Sequence, residues 1–289
     1  MTSQILFGLV SMLLWAISDI IAASAVRKSG TGRVLFYSQL FSVVFALIAA
    51  PAFLGAEAAR IDAVSILLLS LCGLLNAGGF LFFYRALERG KISIAVPLGY
   101  GWSIVTAVLS VAFLAERPSR ALLFGSVLVV LGGVISELKL FGHRSQGHQP
   151  FSDKGTYQVV LSVLLWGVCY ALFDSVSSRT GSWFLPVLIL RLVSLTVMVP
   201  FLFRPDKKEL RKGILVGTAL IGLFELGATL SYSVGISIGY SSVVAPIAAG
   251  APAIVVAYSL VFLKEKVSRT QLAGIMLVLL GLIIAAFAA

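Results

Sequence analysis

Polar positions are scarce along this chain, and they cluster. Apolar runs of about 20 residues, the length a helix needs to cross the hydrocarbon of a bilayer, alternate with short polar breaks from one end to the other. Ten such spans fit, at residues 4–26, 33–54, 64–87, 91–114, 120–137, 155–178, 183–203, 213–236, 240–263 and 269–287. The runs are continuous and do not alternate with polar residues, which argues against the strands of a membrane barrel. The pattern predicts an all-α membrane protein with ten transmembrane helices. One polar loop is larger than the others, LKLFGHRSQGHQPFSDKG, Leu138 to Gly155, and its Gly and Pro mark a linker.

Composition agrees. Of 289 residues, 59% are hydrophobic, and the mean hydropathy is +1.04. A soluble chain of that make-up would expose too much apolar surface. The net charge of +10 does not point to nucleic acid, because the basic residues are spread over short loops and build no soluble basic domain. The first span carries ASA at Ala23 to Ala25, like a signal peptide. No positive charge precedes it, and Arg27 and Lys28 follow it, so it is expected to stay as a membrane helix. Lys and Arg divide seventeen to four between the two sets of loops. The richer side should be cytoplasmic, which places both termini of a multi-pass inner-membrane protein on the non-cytoplasmic side.

The chain repeats itself. SMLLWA at Ser11 returns as SVLLWG at Ser162, and GLLNAG at Gly73 as GLFELG at Gly222. GKISIAVPLGYG at Gly90 returns as GYSSVVAPIAAG at Gly239, and FLAERPSR at Phe113 as FLKEKVSR at Phe262. Residues 1–137 and 155–289 therefore read as two five-span repeats joined by a linker at 138–154. An odd span count flips the second half, giving two inverted-topology repeats around a central cavity, an architecture of secondary transporters.

Two such halves, each ending in an apolar run, a Glu, a Ser and a Gly-rich helix, resemble the drug/metabolite transporter superfamily of EamA type. The resemblance implies two bundles around a cavity and transport of small metabolites. Within the superfamily, PLGYGW at Pro97 to Trp102 is similar to the aromatic amino acid exporter branch. The family also implies an Arg in the second span of many halves; Arg191 fits, while Gln39 stands at the matching place in the first half.

Candidate site residues follow from depth and repeat position. Trp15 and Trp166 match and lie mid-span, although membrane Trp prefers the interface; each lines a wet cavity or is packed with its N–H satisfied. Trp15 shares a helical face with Asp19, and Trp166 with Tyr170. Pro97, with Gly99 and Gly101, matches Pro246, with Gly250 and Pro252. These are hinges or gates, or else tolerated static kinks. Tyr100 and Trp102 match Ala249 and Ala251, an aromatic wall facing a small one, which suits a flat apolar group or plain core packing. Tyr84 and Phe80 lie near Asn76 on one face and extend that pocket.

Glu225 lies in an otherwise uncharged run from Gly213 to Val261, where an ionised carboxylate costs about 3 kcal/mol or more. Its repeat partner is Asn76, as Gln39 is that of Arg191. Two readings stay open: an Arg191–Glu225 ion pair matched by a Gln39–Asn76 amide pair, or a cavity acid that binds a substrate ammonium or a proton. Asp19 is the second candidate acid. Asp174, nearer a helix end, is expected to reach water.

Glu116 and Glu265 read as helix-end and turn residues. Gly125, Gly132, Gly133, Gly274 and Gly281 allow close helix approach. Cys72 and Cys169 are inside spans, so no structural disulfide is expected. His143 and His148 are both in the linker, so no span offers paired His for haem or zinc. No Walker A motif is present. No cofactor or metal is expected. The partners are a small-molecule substrate, the bilayer and, for a coupled carrier, protons; the chain reads as a monomer, with a dimer as the alternative. A secondary transporter, more specifically an exporter, is the leading class. A passive facilitator or a drug-like cation exporter of the same fold stands second. A membrane enzyme stands third, since no catalytic cluster is recognisable.

Overall fold

The computed structural model describes residues 2–55, 61–89, 92–113, 119–137, 153–202, 212–262, 264 and 269–288. Among these the chain forms helices and no strands. In order they are α1 (Thr2–Ser29), α2 (Thr31–Phe53), α3 (Ala63–Arg89), α4 (Ile92–Gly99), α5 (Trp102–Phe113), α6 (Arg120–Glu137), α7 (Asp153–Thr180), α8 (Leu185–Leu202), α9 (Lys212–Ser237), α10 (Ser241–Ala248), α11 (Ala251–Val261) and α12 (Arg269–Ala288). Seven stretches among the described residues are long and apolar enough to cross a membrane. The expected turn residues Glu116 and Glu265 lie outside the described residues, as do the two linker histidines.

The bundle buries its mid-span polar groups within an apolar core and exposes apolar side chains. Ile48, Leu67 and Phe113 stand exposed, while Gln39, Asn76, Arg191 and Glu225 are buried. That is the arrangement a lipid solvent favours, since an inward polar group finds partners and an outward one cannot. Small residues bring the helices together. α1 packs on α9 and α3 on α7; α2 packs on α9 and α8 on α3; α6 pairs with α12. Ser11 Oγ donates to the Ala228 carbonyl at 3.0 Å, and Ser231 Oγ to the Phe7 carbonyl at 2.8 Å, so α1 and α9 are stitched in both directions. A side chain on Gly222 would meet the α2 backbone at 2.6 Å, and one on Gly132 the α12 backbone at 2.5 Å. α1 ends at Gly30 with φ 81°, and α7 is followed by Gly181 with φ 63°, a left-handed conformation open to glycine at little cost. Before α3, Asp62 accepts the Ser65 N–H at 2.8 Å and its hydroxyl at 2.9 Å. The backbone bond first, then the hydroxyl, hold this exposed carboxyl below the usual range.

Two expected spans are not continuous helices. The 91–114 span breaks at Tyr100 and Gly101, between α4 and α5; the 240–263 span breaks at Ala249 and Gly250, between α10 and α11. Each break falls three to four residues after the proline and not at it. Pro97 and Pro246 stay inside α4 and α10. The ladder changes to three-residue turns only where glycine loosens it, Gly101 bonding to Leu98 and Gly250 to Ile247, both near 3.0 Å. Pro252 then sits in the first turn of α11, where its missing N–H is no loss.

Candidate functional site

Where α1, α3, α7 and α9 meet the first helix break, a cavity of about 20 Å³ remains, room for about one water. α1 contributes Trp15 and Asp19, one turn apart on a single face. α3 contributes Phe80 and Phe83, and α7 contributes Trp166 and Tyr170. Tyr100 enters from the break itself, Trp102 from the start of α5, and Glu225 from α9. All are buried.

The rings form one cluster. Trp102 and Tyr170 are 4.6 Å apart between centroids, and Trp15 stands edge-on to both, at 5.7 and 5.9 Å. Tyr232 closes the set behind them, 5.1 Å from Tyr170. Across the cavity Trp166 meets Phe80 and Phe83, each at 5.1 Å. The Trp166 indole lies over Gly79, where a Cβ would come within 2.5 Å of the ring nitrogen. Its N–H is buried and has no hydrogen-bond partner among the described residues.

The two acids are held differently. Asp19 accepts the Tyr100 hydroxyl at 2.9 Å, which ties the helix break to the cavity wall. Glu225 meets Arg191 by one long contact of 3.5 Å. Arg191 has better partners: the backbone carbonyl of Glu225 at 2.8 Å, and the Thr229 hydroxyl. Its other end reaches Gln39 Oε1 at 3.5 Å, and its guanidinium lies over Phe80, 5.9 Å from the centroid. Arg191 is therefore anchored mainly by α9 backbone and hydroxyl, and the carboxylate of Glu225 stays turned to the cavity. The ion pair and the cavity position coexist.

Several expected placements need correction. No Gln39–Asn76 amide pair forms: Gln39 turns to Arg191, and Asn76 donates to Ser194 Oγ at 3.1 Å, because α8 packs against both α2 and α3. Asn76 and Tyr84 are buried but do not line the cavity. Phe80 and Phe83 do, and Tyr84 packs against both from behind. Ala249 and Ala251 are core residues outside the lining. Asp174 is buried, because α7 continues well past it to Thr180. Cys72 and Cys169 are free thiols, each donating to the other's carbonyl at 3.5 and 3.3 Å. Phe83 and Tyr232 were not singled out in the sequence. The signals were there: Phe83 follows Phe80 at helical spacing, and Tyr232 is its match in the second half.

The sequence profile of the EamA-like transporter family matches residues 2–137 and 153–287. An uncharacterised transporter of Archaeoglobus fulgidus is 25% identical over 97% of both chains. An uncharacterised protein of Methanocaldococcus jannaschii is 39% identical over 57 residues, 20% of this chain and 42% of that one. A crystal structure of a protein, 18% identical, superposes with a TM-score of 0.73 over 98% of this chain and 96% of that one, which shows the shared fold. Matched over nearly its whole length, and built of membrane-length apolar helices, this chain is a multi-pass membrane protein that belongs to the EamA-like transporter family.

Proposed function

We propose that the protein is a secondary transporter that exports small metabolites carrying an amino group and a flat apolar part, amino acids with apolar or aromatic side chains being the sequence-based candidates. The observation that carries this is the small buried cavity of aromatic rings and two acids at the meeting of α1, α3, α7 and α9. A volume fit for about one water is not a pore, so a substrate enters only if the walls move, as alternating access requires.

Two five-span halves supply the moving parts in this reading. The family profile matches each half separately. The packing of α1 on α9 becomes that of α7 on α3 when the halves are exchanged, and Gly30 becomes Gly181. The breaks after Pro97 and Pro246 are likewise related, and they are the places where α4–α5 and α10–α11 would bend, with Gly99, Gly101, Gly250 and Pro252 in or beside the bending turns. The basic loops are taken as cytoplasmic and the termini as external. The carrier works as a monomer, and protons are candidate coupling ions through Asp19 or Glu225.

Trp102→Ala and Trp166→Ala test the cavity. Each removes one aromatic face and should weaken binding by about 1 kcal/mol or more while leaving expression intact. The measurement is saturable counterflow in proteoliposomes. Unchanged half-saturation in both variants removes the cavity from the transport path, and flux that does not saturate would indicate a passive facilitator.

A further inference from the structure

We infer that the cavity selects a cationic aromatic amine and discriminates against the zwitterionic amino acid with the same side chain. This rests on the transport reading and narrows its substrate. Two acids line the cavity, Asp19 and Glu225, and among the described residues no Lys, Arg or His does. Arg191 stands outside the lining and reaches Glu225 Oε2 only at 3.5 Å. It is held by the Glu225 carbonyl and Thr229, and the ring of Phe80, which lines the cavity, lies against it. With all three groups ionised, the site carries one negative charge in excess.

An excess charge in a buried place is costly unless something neutralises it. An ammonium does so. It finds Asp19, whose contact on the protein side is the Tyr100 hydroxyl, and it sits among aromatic rings, whose quadrupoles attract a cation where a face is presented. A zwitterion brings a carboxylate as well. That group would be desolvated beside two acids with no cation to meet it, so the amine's gain is lost.

Three probes that share a ring and a hydroxyl but differ in charge test this: tyramine, tyrosine and 4-hydroxyphenylpropionate. Calorimetric titration of the full-length purified protein should show tyramine binding at least about tenfold more tightly than tyrosine, with the anion weakest. Asp19→Asn should reduce the preference for tyramine over tyrosine to about threefold or less. Tyrosine or the anion binding as well as tyramine overturns the inference, as does failure of all the probes to bind at millimolar concentration. The charge series on the unaltered protein decides even where the variant does not fold. Counterflow of the same probes keeps the two claims apart: tyrosine favoured and carried sinks the inference and leaves transport standing, whereas tyramine bound but never carried does the reverse.

Discussion

Arg191→Gln is expected to cost about 3–5 kcal/mol of stability, the range for removing one partner of a buried ion pair. The guanidinium ties α8 to α9 through the Glu225 carbonyl and Thr229, to α2 through Gln39, and lies over Phe80 of α3. Glutamine is too short to keep that set, and the variant leaves Glu225 ionised with no cation near it. Glu225→Gln should cost clearly less, because Arg191 loses only a contact of 3.5 Å and keeps its carbonyl and hydroxyl. The double variant should cost less than the sum, since the acid left without its cation is gone as well. Melting temperature and counterflow, read over the full double-mutant cycle, separate the roles. Effects that add within about 0.5 kcal/mol would deny the pairing, and unchanged flux in Glu225→Gln would deny the acid a part in transport.

Gly222→Ala is the second large effect, about 1–3 kcal/mol. A methyl group there would meet the Ser38 carbonyl at 2.6 Å and the Ser42 N–H at 2.8 Å. Both obstacles are backbone, so no rotamer relieves them, and α2 must move away from α9. Because α9 carries Glu225 and α2 carries Gln39, the displacement also loosens the contacts of Arg191. Gly213→Ala is the control: nothing lies within 4 Å of its Cβ position, and alanine favours a helix by up to about 1 kcal/mol. The measurement is the difference in melting temperature between the two variants. Equal effects would mean that α2 and α9 are not in this close contact.

Membrane-length runs were legible because a bilayer demands a run of fixed length, and seven such stretches stand among the described residues. Trp15, Trp102, Trp166 and Tyr170 stand around one cavity. Rotation about each helix axis was not legible. Phe83 and Tyr84 are neighbours in sequence, so they point about 100° apart, and only the packing of α3 on α7 decides which faces the cavity. The expected amide pair fails for the same reason. Gln39 and Asn76 match in depth, yet α8 lies against both their helices, and Ser194 and Arg191 take their hydrogen bonds. Hinges were expected at Pro97 and Pro246 together with the glycines that follow them; the prolines stay helical, and the glycine-bearing turns interrupt the helix.

The crossed packing of α1 on α9 and of α3 on α7 bears on how the chain acquires its structure. Although the sequence reads as two copies of one unit, the copy is not the folding unit. The first half synthesised alone would hold α1 and α3 with their principal neighbours still missing, and Ser11 would have no Ala228 carbonyl to meet. Such a fragment should be captured by quality-control proteases in the membrane. Cut within 138–154 and co-expressed, the two fragments should find each other and restore flux, since each offers the surfaces the other lacks.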